Sequence, residues 1–113
     1  MKKVEAIIKP SKLEAIKEAM VAADIPCMTI SPVKGAGLQQ GYTEVYRGRE
    51  LKLNLLNKVK LEVVVSDENL DKLIDIIVEN AHTGEHGDGK IFVYDVEDAI
   101  RIRTQERGPS AIR

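Results

Sequence analysis

The stretch Thr83-Gly84-Glu85-His86-Gly87-Asp88-Gly89-Lys90-Ile91-Phe92-Val93 decides the fold through the patterns on either side of it. Its glycines crowd around Lys90, as in a loop that wraps a phosphate group. A P-loop is entered from a strand and left by a helix, and it has Ser or Thr where this chain has Ile91. Here a helical pattern enters the loop and an apolar strand pattern leaves it. The order argues against a P-loop NTPase and indicates a nucleotide loop in a different fold.

Working outward, the chain contains two similar halves. Strand patterns cover residues 4–9, 28–33, 59–65 and 91–96. Two helices follow Pro10-Ser11 and Ser66-Asp67, which are typical helix starts. Their apolar stripes are Leu13, Ile16, Met20 and Val21 in the first helix, and Leu70, Leu73, Ile74, Ile77 and Val78 in the second. The predicted fold is α+β, a ferredoxin-like βαββαβ sandwich with two helices on one face of an antiparallel sheet. The sheet face away from the helices must be covered by something else.

Composition predicts one domain over residues 1–113. The chain has 113 residues, 43% hydrophobic and 31% charged, which suits a compact domain with a core. Its net charge of -1 gives no general attraction to nucleic acid or anionic membrane, so an anion site must be local. The single cysteine, Cys27, excludes an internal disulfide and is interpreted as a small apolar residue. No apolar run approaches the 18 or so residues of a membrane span, and we expect a cytosolic protein.

The segment between the second and third strands, residues 35–57, is too long for a hairpin turn. It is rich in glycine and basic residues, yet it also contains several leucines, which seek a surface to bury against. It can be a tolerated insertion or an arm that grips a partner. We favour the arm.

Near the end of the chain, Ile100-Arg101-Ile102-Arg103-Thr104 alternates apolar and cationic residues. If this segment is a strand, Arg101 and Arg103 point to the same side and can clamp a polyphosphate. The alternative is a solvated strand edge whose charges prevent aggregation. The presence of Lys90 after the glycine loop favours the clamp, provided that the three cations meet in space.

These residues carry a family resemblance that runs almost end to end. The segments 83–93, Tyr46-Arg47-Gly48, Lys34-Gly35, 100–104 and the opening Met1 to Pro10 are similar to those of the PII nitrogen signal-transduction proteins. The resemblance implies a homotrimer whose sheets line the centre, with a flexible partner-binding loop at 35–57, a phosphate-binding loop at 82–90 and a C-terminal loop and tail at 101–113. It also implies ATP or ADP in the clefts between subunits.

Carried over by resemblance, the phosphates are held by Gly87, Asp88, Gly89 and Lys90 of one subunit and approached by Arg101 and Arg103 of its neighbour. The remaining nucleotide-binding positions that the resemblance implies are Ile7, Thr29, Gly35, Ala36, Gly37, Leu38, Gln39, Glu62, Val64 and Phe92.

The resemblance also implies that 2-oxoglutarate binds beside MgATP. Gln39 stands where the family has its metal-binding glutamine, and Lys58 stands where it binds the distal carboxylate; Gln40 and Gly41 complete the expected site. Magnesium prefers such oxygen ligands together with substrate phosphates. His82 and His86 are spaced like a helical metal pair, but a third ligand is not evident, and we interpret them as a surface residue and a loop residue.

Four positions depart from the family pattern. Ala36 and Leu38 replace a frequent phenylalanine and arginine, so affinity for nucleotide or 2-oxoglutarate is expected to differ. Leu51 stands where many bacterial relatives have a uridylylated tyrosine, and Arg49 where cyanobacterial relatives have a phosphorylated serine. We predict signalling by ligand occupancy alone. A tyrosine-directed adduct in the intact mass would contradict this.

The resemblance implies that the arm regulates targets such as an ammonium channel, transcription regulators or nitrogen-assimilation enzymes. Arg47 is expected to enter the channel's cytoplasmic pore, with Tyr46 packing beside it, which would recruit the protein to the inner face of the membrane. Because ligand binding would select one shape of the arm, the expected mechanism is a population shift.

Three other interpretations are open. The chain can be an adenylate-charge sensor that does not respond to 2-oxoglutarate. It can be a ferredoxin-like RNA-binding module, although one Phe, three Tyr and no Trp make a thin stacking platform. It can be an enzyme, for which Asp88 and Glu62 are the convenient bases. We expect a regulator with at most slow incidental ATP hydrolysis.

Overall fold

A computed structural model describes residues 1–38 and 53–113 of the chain. Its elements are β1 (Lys2–Ile8), α1 (Leu13–Ala22), β2 (Thr29–Leu38), β3 (Leu53–Val65), α2 (Leu70–Ala81) and β4 (Lys90–Asp95). The strands form one sheet in the order β2-β3-β1-β4, and each neighbouring pair is antiparallel. The predicted ferredoxin-like βαββαβ fold is confirmed.

Side-chain alternation along the central strands creates the core. Every second residue of β1 and β3 faces the helices, because successive side chains of a strand point to opposite faces. The helices contribute the stripes that the sequence predicts. The buried set is Val4, Ala6, Ile8, Val59, Leu61, Val63 and Val65 from the strands, Ile16, Met20, Leu73, Ile77 and Ala81 from the helices, and Ile25 after α1. Full burial of a side chain such as Leu61 contributes roughly 1.5–3 kcal/mol.

Two residues predicted on the helical stripes are exposed instead of packed into the core. Val21 is 61% exposed and Val78 is 47% exposed. Each follows a fully buried residue, Met20 or Ile77, and one step along a helix rotates the side chain by about 100°. The periodicity therefore gives the position of each stripe correctly and overestimates its width.

The two strands that flank the long loop extend further than predicted. β2 continues from Val33 to Leu38, and β3 begins at Leu53 rather than at Val59. The pairing runs without a break from Thr29 opposite Glu62 to Leu38 opposite Leu53. This extension is not evident from the sequence, because glycines interrupt the apolar alternation of β2. Backbone hydrogen bonds hold the two strands together there. Pro32 lies in β2, an edge strand, where a proline is tolerated.

The segment 100–104 is not a strand. Ile100 forms an isolated antiparallel bridge with Arg107, and the residues between them turn back on themselves. Gln105, at the end of this turn, has a φ of 62°. The apolar-cationic alternation is therefore not evidence for a common direction of Arg101 and Arg103.

Cys27 is also not where the sequence places it. It is exposed rather than buried as a small apolar residue. It follows Pro26 in the connection between α1 and β2, between the buried Ile25 and the partly buried Met28, which both pack into the core.

The sheet face opposite the helices carries charged and polar side chains. Lys3 Nζ lies 2.7 Å from a Glu62 carboxylate oxygen and 5.6 Å from the ring centre of Tyr94. The Tyr94 hydroxyl lies 3.3 Å from a Glu5 carboxylate oxygen and donates a hydrogen bond to it. Polar cross-strand pairs of this kind suit a face that is either solvated or covered by another polar surface. In the two described ranges, no helix combines the length and apolarity that a membrane span requires.

Candidate functional site

Eight of the predicted site residues share one face of the sheet. On the central strands, Ile7, Glu62 and Val64 each lie between two buried residues and therefore point away from the helices. The strand register places the others on the same side. The set consists of Ile7, Thr29, Gly35, Lys58, Glu62, Val64, Lys90 and Phe92. A ligand on this face would meet side chains from all four strands.

Asp88 organises the glycine loop between α2 and β4. Its carboxylate accepts hydrogen bonds from the backbone N–H of Thr83 at 2.7 Å, from that of Gly84 at 3.0 Å and from the Thr83 hydroxyl. These donors favour the anionic carboxylate and hold the pKa of Asp88 well below its usual range. Asp88 therefore stabilises the conformation of the loop, because the loop's own donors already bind its carboxylate.

Two glycines give the loop its path close to the sheet. Gly87 has a φ of 94° and Gly89 a φ of 101°, which side chains rarely allow. A Cβ on Gly89 would also overlap the carbonyl oxygen of Ile7 in β1. The loop backbone can thus lie against the end of β1 only with glycine at this position, immediately before Lys90.

Lys58 connects the sheet to this loop. Its Nζ lies 2.6 Å from the Gly87 carbonyl oxygen and donates a hydrogen bond to it. Gly35, on the neighbouring strand, lies beside the lysine stem, since a Cβ there would lie 3.4 Å from the Lys58 Cγ, in van der Waals contact. The structure therefore brings Lys58, Gly35 and the loop together. We call Ile7, Gly35, Lys58 and residues 87–90 the loop group.

Lys9 also lies beside the glycine loop, although no sequence pattern indicated it. Its Nζ lies 3.4 Å from a carboxylate oxygen of Asp88, and its stem lies beside Gly87, as the Lys58 ammonium does. The strand register explains the encounter. Since Ile7 pairs with Lys60 on one side and with Lys90 on the other, continuing both ladders by two residues brings Lys9 level with Lys58 and Asp88. The position of Lys9 beside the loop follows from this register and not from composition or residue spacing.

A second set of predicted residues lines an open cleft at the other end of the sheet. Thr29, Glu62, Val64 and Arg101 border this cleft, whose volume is about 750 Å³. We call these four residues the cleft group. The carboxylate of Glu62 is held by Lys3, and this contact lowers the pKa of Glu62. Glu62 is therefore an acceptor, suited to N–H donors of a base or to a hydroxyl group.

The two groups do not meet within one chain. Lys58 and Val64 are six residues apart on β3. At roughly 3.3 Å per residue, this separation corresponds to about 20 Å. Arg101 hydrogen-bonds to the C-terminal residues instead of approaching Lys90. Within a single chain, Lys90 and the two arginines therefore do not form the clamp that the sequence suggested.

The other predicted residues lie as follows. Phe92 is opposite Glu5 and is 45% exposed. Arg103 is exposed in the turn after Arg101, and Ala36 is exposed on β2. Gly37 and Leu38 end β2. Gln39, Gln40, Gly41, Tyr46, Arg47, Arg49 and Leu51 lie outside the described residues.

The described residues fit an anion better than a metal alone. The loop group supplies backbone N–H groups on a glycine turn, with Lys58 and Lys90 at its sides, which is the donor set of a phosphate site. No group of three or more His, Cys, Asp or Glu side chains within 1–38 and 53–113 is arranged to hold a metal ion. His82, directly after α2, and His86, in the loop, are both exposed, as expected.

The fold and this loop define a class: a ferredoxin-like α+β protein with a candidate anion site at one end of its sheet. Comparison with known proteins narrows the class. The family model described as "Nitrogen regulatory protein P-II" matches residues 1–106. The chain therefore belongs to the nitrogen regulatory protein P-II family, whose members are named as regulators.

Individual relatives agree with this assignment. The chain is 56% identical to the nitrogen regulatory protein P-II of Haemophilus influenzae and 54% identical to that of Pasteurella multocida, in both cases over 99% of this chain and 100% of the relative. It is 52% identical to nitrogen regulatory protein P-II 1 of Escherichia coli K12 over the same shares. A solved structure of B. subtilis GlnK superposes with a TM-score of 0.83 at 39% identity and covers 97% of this chain and 96% of that one.

Proposed function

We propose that this protein is a sensor of nitrogen, carbon and energy status that binds ATP or ADP together with 2-oxoglutarate and regulates other proteins through residues 35–57. The observation that carries the proposal is the convergence of the loop group. Lys58 is hydrogen-bonded to Gly87, and Gly89 is packed against Ile7 directly before Lys90. Family membership supports a regulatory role, and the loop chemistry supports a phosphate ligand.

The nucleotide phosphates would lie against the backbone N–H groups at Gly87 and Gly89, with the Lys90 ammonium beside them. Backbone donors and a lysine neutralise phosphate oxygens without a side-chain carboxylate at the site, and Asp88 meets that condition because its oxygens are bound by the loop. Glu62, Val64 and Thr29 would surround the adenosine part.

We further propose that each nucleotide lies between two copies of the chain in a homotrimer. The separation of the loop group from the cleft group supports this, since a neighbouring copy that turns its cleft group toward the loop group would complete the site. Arg101 and Arg103 would then reach the phosphates from that neighbour. Packing of the polar sheet faces around a threefold axis would also cover the face that the helices leave open.

For 2-oxoglutarate, the proposed contacts are Lys58 with the distal carboxylate and Gln39, Gln40 and Gly41 around the remainder. Lys58 already stands beside the phosphate loop, so one ammonium group is available where the two ligands would adjoin. Gln39 would be the protein ligand of Mg²⁺, which would supply positive charge for the oxygen atoms of the two ligands.

The output of the sensor would be a population shift of the arm. ATP with 2-oxoglutarate, which reports nitrogen shortage, would favour an arm that releases targets; ADP would favour the binding-competent arm. The proposed targets are an ammonium channel, with Tyr46 and Arg47 at the contact, and transcription regulators or nitrogen-assimilation enzymes. The protein would be cytoplasmic and would reach the inner face of the membrane through the channel.

A second candidate function is an adenylate-charge sensor that has lost the 2-oxoglutarate response. The replacement of the family's common phenylalanine and arginine by Ala36 and Leu38 favours it. An enzymatic role has less support, because Asp88 is engaged by Thr83 and Gly84, and Glu62 by Lys3. Neither carboxylate is placed as a general base beside the loop.

Subunit complementation tests the shared site. Lys90→Ala damages the loop group and Arg101→Ala damages the cleft group, so each variant alone should bind ATP weakly. In a ring of three chains that contains both variants, one cleft joins two intact halves. Co-expressed mixed trimers, purified with two tags, should therefore regain tight ATP binding at a fraction of their sites. No recovery would contradict the shared site.

A further inference from the structure

The side chain of Arg101 is held by the end of the chain. Its Nη1 donates a hydrogen bond to a Glu106 carboxylate oxygen at 2.9 Å. Its Nη2 donates two more, to the main-chain oxygen of Ser110 at 3.0 Å and to that of Arg113 at 2.6 Å. A guanidinium has five N–H donors in a fixed plane. Three of the five are therefore used by residues 106–113, which we call the tail.

The backbone fixes the tail in this place. Arg101 N–H donates to the Glu106 carbonyl oxygen at 2.9 Å, and Gln105 N–H donates to the Arg101 carbonyl oxygen at 2.7 Å. Gly108 N–H then donates to the Ala99 carbonyl oxygen at 3.0 Å. With a φ of 72°, Gly108 allows the turn that leads into the short 3-10 helix Gly108–Ile112. The tail is thus a folded element and not a loose end.

The tail also forms a wall of the cleft. Ala111, Ile112 and Arg113 border the same cleft of about 750 Å³ as Thr29 and Glu62. Arg101 lies between the tail and the cleft, and its side chain is 26% exposed. One guanidinium therefore contacts the tail with some of its donors while it borders the cleft.

We propose that Glu106 and the tail main chain are positioning elements for the polyphosphate part of the nucleotide, acting through Arg101. This inference rests on the proposed function. An arginine that moves freely loses side-chain entropy when it binds a ligand. An arginine whose plane is already fixed by three acceptors loses less and keeps its remaining donors in one direction. The tail would thus raise affinity for phosphorylated nucleotides without touching the phosphates.

The main-chain nature of two of the contacts gives a matched set of variants. Ending the chain after Pro109 removes both main-chain acceptors. Arg107→Gln changes a tail side chain that is 72% exposed and pairs with Asp98 away from the cleft, so it serves as the control. Glu106→Gln keeps the shape of the side chain and removes its charge. Each variant is titrated with ATP and with adenosine in a calorimeter.

We expect Glu106→Gln and the shortened chain each to bind ATP about tenfold more weakly, the size typical of a lost charge-assisted hydrogen bond. Their binding of adenosine, which has no phosphate, should stay within about twofold of the parent, and Arg107→Gln should resemble the parent for both ligands. An equal loss for ATP and adenosine would mean a general structural role and would overturn the proposal. Tighter ATP binding by the shortened chain would overturn it too, because the tail would then compete with phosphate.

The same titrations separate this inference from the proposed function. If the parent chain does not bind ATP, the proposed function fails and the positioning role fails with it. If the parent binds ATP and neither Glu106→Gln nor the shortened chain differs from it, only the positioning role fails.

A readout without nucleotide checks the place of the tail. Cys27 is the single thiol of the chain, is exposed, and borders the same cleft as Ile112. The shortened chain should react with iodoacetamide several-fold faster than the parent, whereas Arg107→Gln should react at the parent rate. Equal rates for the shortened chain and the parent would contradict a tail that covers this cleft.

Discussion

Lys58 and Gly87 are joined by a 2.6 Å hydrogen bond that links the middle of β3 to the glycine loop before β4. The two residues are 29 positions apart, and α2 lies between them. One side chain thus connects the part of the sheet that continues toward residues 39–52 with the loop proposed to bind phosphate. The bond gives the two proposed ligands a common contact.

Replacing Lys58 by methionine should abolish 2-oxoglutarate binding and weaken ATP binding. The variant keeps the length of the apolar stem but loses both the ammonium charge and the hydrogen bond to Gly87. Lys72→Met is the matched control, because Lys72 Nζ also donates to a main-chain oxygen, that of Ala23 at 2.8 Å, away from the site. Titration calorimetry should show that Lys58→Met binds ATP at least tenfold more weakly than the parent. Similar losses in both variants would mean that the effect is not local.

Gly89→Ala and Gly108→Ala should differ strongly in their effect on stability. Both glycines have a positive φ, 101° and 72°, but a Cβ at Gly108 meets no atom within 4 Å, whereas one at Gly89 would overlap the Ile7 backbone. Urea unfolding at matched protein concentration should show a loss of about 1–2 kcal/mol for Gly108→Ala, the backbone term alone. Overpacking should increase the loss to about 3–5 kcal/mol for Gly89→Ala. Equal losses would contradict the close approach of the loop to β1.

Asp88 should contribute a part of the stability that disappears in acid. Its folded-state pKa lies below the ordinary value of 3.8, so its contribution is complete above about pH 4 and is lost as the pH falls through the folded-state pKa. Between pH 5 and pH 2, the free energy of unfolding of Asp88→Asn should therefore fall less steeply than that of the parent.

Asp75→Asn, at an exposed position of α2, is the control for the loss of one negative charge. It should keep the steeper acid dependence of the parent. If Asp88→Asn and the parent show the same dependence, the contacts of the carboxylate with Thr83 and Gly84 do not stabilise the loop.

Arg47→Glu should abolish binding to the ammonium channel, since a guanidinium proposed to hydrogen-bond inside the pore would be replaced by a carboxylate. Arg49→Glu makes the same charge change two residues further on. A pull-down with membranes that contain the channel, in the presence of ADP, should recover Arg49→Glu and lose Arg47→Glu. Retention of Arg47→Glu would contradict the proposed contact.

Much of the fold follows from the sequence because burial repeats with the period of each element. The stripes around Ile16 and Leu73 and the alternation along residues 59–65 are direct consequences of the core. The extension of β2 beyond Val33 is hidden, because Gly35 and Gly37 leave no pattern for side-chain periodicity to detect. Backbone pairing sets that boundary.

The site was predictable in part for a related reason. Local chemistry identifies the loop from its glycines and Lys90. The position of Lys9 depends on the register of three strands, and the contacts of Arg101 depend on a turn at Gln105 and Gly108. The apolar-cationic alternation of 100–104 suggested a strand, but the backbone turns within this segment. A side-chain pattern does not report where the backbone turns.

The most direct test of the central claim is a calorimetric titration of 2-oxoglutarate into the protein, first alone and then after saturation with MgATP. We predict heat of binding only with MgATP, and loss of that heat when Lys58 is replaced by methionine. Binding of ATP without any binding of 2-oxoglutarate would contradict the carbon-nitrogen sensor and would leave an adenylate-charge sensor on the same fold.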